Sequence, residues 1–397
     1  MPLRTLTAGE SHGPVVLTIL EGMPAGLPLA PEDINPDLAR RQGLGPAGKP
    51  HPGASPRMKL EHDTAELLSG VMAGQTIGAP IAVQVRNLDH TKWQGRAVAP
   101  MTIPRPGHAD LTGALKYGYD DLRQSLERAS ARETTARVAA GAIARKLLAE
   151  FGIRVGSYVT EIGGVEADLS AFPLTERLDA ALRSEMNCPS PEGTEAMRAR
   201  VEAIIRARDT LGGVFEVVAL GLPPGLGSHV HYDRRLTGRL AGALLSIHAM
   251  KGVEIGSAFA NARLPGTQVH DEIIRDDAGS LTRRTNRAGG LEGGITTGQP
   301  LVLRVAMKPI STTLNPLASV DLATGAPAAT DYERSDFCAV PRAGVVGEAM
   351  VCLVLADALL EKLGGDSLVE LKPRFAALRR ASLDDVPQLG QPRVWWP

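Results

Sequence analysis

The longest apolar stretch of the chain runs from Gly344 to Leu360, with Glu348 and Asp357 as its charged interruptions. It falls short of the roughly 18 uninterrupted apolar residues that a bilayer span requires. It therefore reads as a buried helix, Val345 to Leu363, that the rest of the chain has to cover, and no membrane association is expected. At 397 residues, division by about 150 residues per domain would give about two or three domains. No Ser/Gly or charged linker separates them, however, and the densest Pro/Gly segment, Gly43 to Pro56, reads as one long loop. The expectation is a single domain over 1–397, with a loop at 43–56 and a C-terminal tail at 372–397 that carries Trp395 and Trp396.

Around that helix the pattern alternates between periods. Leu3 to Thr7 and Val15 to Glu21 read as strands joined by the polar turn Gly9-Glu10-Ser11-His12-Gly13, and Ile81, Val83 and Val85 alternate with Ala82, Gln84 and Arg86 as in a strand with one buried face. Val155 to Glu161, Val214 to Leu220 and Leu301 to Met307 add further strands. Pro31-Glu32-Asp33 opens a short helix that carries Arg40 and Arg41 near its end. A long helix is expected from a cap at Asp120 or Asp121 through Leu122, Leu126, Ala129, Ala136, Ala140, Ile143 and Leu147 to a stop at Gly152. Arg128 and Arg132 sit four apart in it and repel unless Glu133 and nearby acids, or a bound anion, neutralise them. Glu192 to Ala207 and Arg234 to His248 also read as helices. No G-x-G-x-x-G follows a strand in a β-α-β series, so an α+β fold, sheets covered by helices, is expected over a doubly wound parallel sheet.

Composition narrows the partners. With 43 Lys+Arg against 44 Asp+Glu and 4% aromatic residues, the chain has neither the field nor the stacking rings of a general nucleic-acid binder. Cys188, Cys338 and Cys352 form no C-x-x-C pair, so neither a disulfide framework nor a thiolate metal cage is expected, which fits a reducing compartment. The start of the chain lacks the roughly 7–15-residue apolar run of a signal peptide. The cytoplasm is the expected location.

Gly43-Leu44-Gly45-Pro46-Ala47-Gly48 matches G-x-G-x-x-G but follows a helix, so it reads as a flexible loop and not a dinucleotide site. His229 and His231 have metal-ligand spacing with only Asp233 nearby, and no metal is expected. His12 and His108 differ from core histidines, because each lies on a Gly/Pro-framed loop among polar residues, where imidazole can donate a proton to an anionic leaving group, although taken alone each reads first as a capping or loop residue. The segment Gly289 to Gly298 holds five glycines in ten residues and follows Arg283, Arg284 and Arg287, a combination able to cradle an anion. Lys308 to Thr312 adds a cation and hydroxyls, and Arg334-Ser335-Asp336 an Arg/Asp pair. Scattered cations and glycines with no dominant nucleophile imply a polyanionic ligand and an elimination or transfer that uses general acids.

The segments Ala8 to Gly13, Arg105-Pro106-Gly107-His108-Ala109-Asp110, Glu127 to Thr134, Arg283-Arg284-Thr285-Asn286, Glu292-Gly293-Gly294 through Thr297 to Pro300, Met307-Lys308-Pro309-Ile310 and Glu333-Arg334-Ser335-Asp336 occur in this order. Together they closely resemble the chorismate synthase family, over about Leu6 to about Glu370. That resemblance implies a β-α-β sandwich with antiparallel sheets, assembled as a homotetramer. It implies a 1,4-anti elimination of phosphate from 5-enolpyruvylshikimate 3-phosphate to chorismate, by a lyase of the shikimate pathway that serves aromatic amino acid biosynthesis. The reaction needs reduced FMN (FMNH2) without net redox change, because the ring proton is not acidic and the flavin lends an electron transiently.

By the same resemblance His12 corresponds to the histidine at the departing phosphate, His108 to the one that keeps the flavin anionic, and Asp336 to the acid that relays the proton. Arg40, Arg105, Arg132 and Arg334 correspond to arginines around the substrate's phosphate and carboxylates. Arg128, Ala129, Ser130, His248, Ala249, Gly293, Lys308, Pro309, Ile310, Ser311 and Thr312, with Arg334 again, correspond to flavin-binding stretches. Relatives usually carry an arginine where Pro46 stands here, and Lys49 or Arg57 is the expected substitute, Arg57 being placed with the substrate-binding residues. His248, Ala129 and Phe337 stand where Asn, Ser and Pro are common. No nicotinamide-binding domain is evident, so an external flavin reductase, a step associated with NADP, is expected to supply reduced flavin. The competing reading is a flavin oxidoreductase that shares the flavin site.

Overall fold

The computed structural model describes residues 2–45, 50–54, 62–277, 279–333, 335–386, 390, 392–393 and 395–396. Alternating side chains build two antiparallel sheets. The first contains β1 (Arg4–Ala8), β2 (Val15–Glu21), β3 (Ala65–Leu67) and β4 (Ile81–Arg86) in the order β1-β2-β4-β3. Val16, Thr18 and Leu20 of β2 point the same way as Ile81, Val83 and Val85 of β4, and all are buried. The second contains β5 (Arg154–Ile162), β6 (Val165–Glu166), β7 (Gly213–Leu220), β8 (Met250–Ile255) and β9 (Leu301–Met307) in the order β8-β9-β7-β5-β6.

The helices that matter for function are α1 (Asn35–Arg41), α2 (Asp110–Tyr117), α3 (Leu122–Arg128), α4 (Thr134–Ala149), α5 (Leu236–Leu245) and α6 (Val340–Leu363). α4 packs on β2 and β4, α6 packs on β5 and β7, and the two helices lie against each other. The layers therefore run sheet, helices, sheet: the α+β sandwich the sequence called for. α6 is apolar all round and buried along most of its length, as a helix covered on every side must be. Cys352 near its middle and Cys338 just before it are free, and burial pushes both thiols up to about 12. Cys188, free and buried too, shifts in the same direction.

Gly141 of α4 sets the distance between the central helices: a Cβ there would lie 2.3 Å from the Ala349 Cβ and 2.5 Å from its Cα. Gly141→Ala is expected to push α4 from α6 and cost about 1–3 kcal/mol. Urea unfolding should show a lower midpoint at unchanged slope. An unchanged midpoint would mean that the helices have slack there.

The expected long helix from Asp121 is two helices. Asp121 caps α3 by accepting from the Arg123 amide at 2.8 Å, but the chain turns extended at Ser130, whose hydroxyl accepts from the Arg132 amide, before a short 3-10 turn leads into α4. The small side chains that completed the periodic pattern hid this local Ser turn, which competes with the helix for its own backbone. The break takes Arg128 and Arg132 out of one continuous helix, and Arg132 is neutralised by Asp63 at 2.8 Å rather than by Glu133. The helix expected over Arg234 to His248 ends at Leu245, which leaves His248 and Ala249 in a turn before β8. The Gly43–Pro56 loop is pinned where it is described: the His51 amide donates to Gly43 O at 2.8 Å and the Phe337 amide to Gly53 O at 2.9 Å. Pro46, Lys49 and Arg57 lie outside the described residues. Trp395 and Trp396 are exposed.

Candidate active site

The turn between β1 and β2 can form only with glycine at its start, because Gly9 has φ +110° and a Cβ would sit 2.4 Å from Val15 O. This turn presents His12 and is fastened to the end of α3. The Ser11 amide donates to Glu127 O (3.1 Å), and the His12 amide donates to Glu127 Oε2 (2.8 Å). His12 Nδ1 lies 2.7 Å from Glu127 Oε1. A carboxylate only accepts, so Nδ1 carries the proton and Nε2 is left for a ligand. Burial works against the Glu127 charge, yet the His12 ring and amide hold its carboxyl below the usual range. The indole of Trp93 packs against the His12 ring, tilted by 41° with centroids 4.3 Å apart.

His108 repeats the device. Its Nδ1 is 2.6 Å from Oδ1 of Asp110, the first residue of α2, and Arg105 reaches the same carboxylate through Nε (2.8 Å) and Nη2 (3.0 Å). Burial opposes the Asp110 charge, but the hydrogen bonds from His108 and Arg105 depress its pKa strongly. Arg105 Nη1 also donates to Thr312 Oγ1 at 3.2 Å, and Lys308 Nζ to Gly107 O at 2.9 Å, which ties this loop to the segment after β9.

Both histidines line a cavity of about 680 Å³. Arg41, Arg105, Arg132, Arg342, Lys251 and Lys308 supply its cations, Asp336 pairs with Arg342, and Leu126, Ile247, Met250, Met307, Ile310 and Val346 supply apolar wall. Burial, with Lys251 nearby, lowers the Lys308 pKa. His248 projects into this space from the turn that Ala249 makes at φ +66°, a strained conformation for a residue with a Cβ. Its Nδ1 is buried with no protein partner among the described residues. Burial lowers the His248 pKa; Glu133 opposes that shift, while Arg137, His108 and Arg41 add to it. The His248 ring thus borders the cavity and keeps one buried nitrogen without a protein partner among the described residues.

Of the residues named from the sequence, the cavity gathers His12, His108, Asp336, Arg105, Arg132, Ala129, Ser130, His248, Ala249, Lys308, Ile310, Ser311 and Thr312. It does not gather Arg40, which points the other way from α1 and is held bidentately by Glu348 (2.6 and 2.8 Å); its neighbour Arg41 faces the cavity. Adjacent helical residues lie about 100° apart, so only one of the two can face one side. Arg128 stands behind the His12 turn, donating to Gly9 O (2.8 Å) and Thr7 O (3.3 Å). Pro309 is passed over between lining neighbours. Gly293 sits at the tip of a hairpin (Leu291–Glu292 with Ile295–Thr296) away from the cavity, and the expected anion cradle there is already neutralised in part, since Arg283 pairs with Glu292 at 2.7 Å. Arg57 and Arg334 lie outside the described residues. Arg41, Arg342, Lys251 and the Glu127 and Asp110 clamps were not assigned from sequence; Asp110, two residues after His108, was the one of these with a local signal. No cluster of metal-ligating side chains occurs among the described residues.

A family model described as chorismate synthase matches residues 3–360. The chain is similar to a chorismate synthase of Aquifex aeolicus, 53% identical over 391 residues that cover 94% of this chain and 96% of the relative. It is also similar to one of Chlorobaculum tepidum, 51% identical over 397 residues that cover 96% and 98%. A crystal structure of chorismate synthase superposes with a TM-score of 0.77 at 46% identity, covering 95% of this chain and 97% of that one.

Proposed function

The chain belongs to the chorismate synthase family and is a carbon–oxygen lyase acting on phosphate, and we propose that it eliminates phosphate from 5-enolpyruvylshikimate 3-phosphate in the 1,4-anti sense, with reduced FMN bound in the same cavity. The observation that carries this reading is the convergence on one space of two carboxylate-clamped histidines and of guanidinium groups from separate elements. The flavin requirement is general to the family, and the residues fit such a group: an apolar wall for a flat ring system, cations for phosphate, and the unpaired buried nitrogen of His248. A volume of about 680 Å³ lies within the ordinary range of small-molecule sites.

When bound, reduced flavin supplies transient electron density as phosphate leaves and a basic nitrogen for a ring proton of low acidity. The chain's own groups do the rest. Arg41, Arg105, Arg132 and Arg342 bind and orient the substrate's anionic groups as preorganised charges. His12, its Nδ1 proton held by Glu127, would donate a second proton from Nε2, as the imidazolium, to the departing phosphate. His108, held likewise by Asp110 through Nδ1–H, would meet the negative charge of the cofactor as an imidazolium, donating its Nε2–H. Asp336 accepts the proton that leaves the site. Flavin reduced by an external reductase and a homotetrameric assembly complete the reading; large apolar side chains left exposed, such as Tyr232 at 79% and Phe259 at 67%, support association. A main apolar cluster from Val16 to Leu371, with a small second one around Tyr158, supports a single working unit, and three free buried thiols support a reducing, cytoplasmic setting.

Anaerobic incubation with chemically reduced FMN and 5-enolpyruvylshikimate 3-phosphate is expected to yield one phosphate and one chorismate per substrate consumed while the flavin stays reduced. Absence of phosphate release would overturn the reading. Steady oxidation of a nicotinamide cofactor without substrate would favour the oxidoreductase instead.

A further inference from the structure

Asn87 follows β4 and is 6% exposed. It does not line the cavity, yet its side chain bonds two residues that do, Ser11 and Arg132. Nδ2 donates to Glu10 O (3.3 Å), Ser11 O (3.3 Å) and Gly13 O (2.7 Å), three carbonyls of the turn that presents His12. Oδ1 accepts from Arg132 Nε at 2.7 Å, while the Arg132 guanidinium also reaches Asp63 at 2.8 Å. The Asn87 amide closes the arrangement by donating to Pro14 O at 3.0 Å. The amide orientation follows from the partners: carbonyls only accept and a guanidinium only donates, so nitrogen must face the turn and oxygen must face Arg132.

We propose that Asn87 is a positioning residue that fixes the His12 turn and the Arg132 guanidinium relative to each other. The inference rests on the elimination reading above, in which those two groups act on one substrate. No other side chain of this size serves both partners. Aspartate would turn acceptor oxygens toward three carbonyls, and leucine would leave those carbonyls and Arg132 Nε without their bonds in a buried place. A misplacement near 1 Å between catalytic groups can cost about 10²-fold in rate, so such a bracket matters without touching substrate.

The test compares Asn87→Asp and Asn87→Leu, each assayed well below its own melting temperature. Asn87→Asp keeps the acceptor for Arg132 but loses every donor to the turn, so kcat should fall about 10- to 100-fold with KM for the phosphorylated substrate within about threefold of the parent. Asn87→Leu loses both functions, so the same fall in kcat should come with a KM raised about tenfold or more. In ligand-free protein, ring-¹⁵N histidine NMR should show the His12 resonances moved in both variants. Unmoved His12 resonances, a kcat within about threefold of the parent for Asn87→Asp, or equal changes of KM in the two variants, as general loosening gives, would overturn the proposal. Should Asn87→Leu fail to fold, the isosteric Asn87→Asp decides through its kcat and its spectrum. A parent enzyme that releases no phosphate would sink the elimination reading alone, and the NMR arm would still decide this one.

Discussion

Alanine at His12 or at His108 is expected to lower turnover by about 10²–10⁴-fold, the usual scale for a positioned proton donor or acceptor, with the melting temperature little changed. The fold should tolerate the loss, because each ring is only partly buried and anchored by one carboxylate at the cavity wall. The two variants should nevertheless differ in kind. Without His12, Glu127 keeps the bonds from the Ser11 and His12 amides, so the turn stays in place and the loss falls on the departure of phosphate. Without His108, Arg105 still pairs with Asp110, and the loss should fall on flavin, read as weaker binding of reduced FMN in an anaerobic titration. Turnover within a few-fold of the parent in either variant would remove the assigned role.

The largest loss of stability is expected at Glu348. This carboxylate is fully buried in α6, between Arg40 (2.6 Å), Arg145 (2.6 Å) and the Ser157 hydroxyl (2.6 Å), and Asp37 braces both arginines. Glu348→Ala leaves two half-buried guanidinium groups with Asp37 as their remaining counter-charge and opens a hole in the core at α6, and should cost about 3 kcal/mol, measured by chemical denaturation. A linked pH effect follows. Burial alone would raise the Glu348 pKa, but Arg40 and Arg145 more than offset it and bring the carboxyl down to about 2, from 4.5 in an open chain. A depressed pKa means that the folded state binds the proton less readily than the unfolded one. The stabilisation is therefore complete above the open-chain value and is lost as pH falls from about 4.5 through about 2. Glu348→Gln should flatten the stability profile across that window. An unchanged slope there would show that other carboxylates govern acid unfolding.

The fold was legible where periodicity is strong and local. β4 stands out by alternation, β2 by a short run of β-branched and apolar residues after a polar turn, and α6 by an apolar run too long for a strand. The break at Ala129–Ser130 was not legible, because Ala129 and Ala136 continue a helical pattern and the hydroxyl that ends it acts through the backbone. For the site, His108 carries its partner two residues away in Asp110, and the motif shows it. The His12 partner Glu127 lies 115 positions along the chain, and only the docking of α3 on the first turn brings them together. Arg40 and Arg41 are equivalent on paper. The buried Glu348 decides which of them turns inward, and that choice belongs to the packing of α1 on α6.

The sealed cysteines turn alkylation into a clock. With thiols this buried and two of them this weakly acidic, a reagent gains its thiolate target only when the surrounding structure opens. Cys352 sits at the heart of the interhelical layer, Cys188 beside the second sheet and Cys338 next to Asp336, so their separate labelling rates time the opening of three regions without any engineered probe.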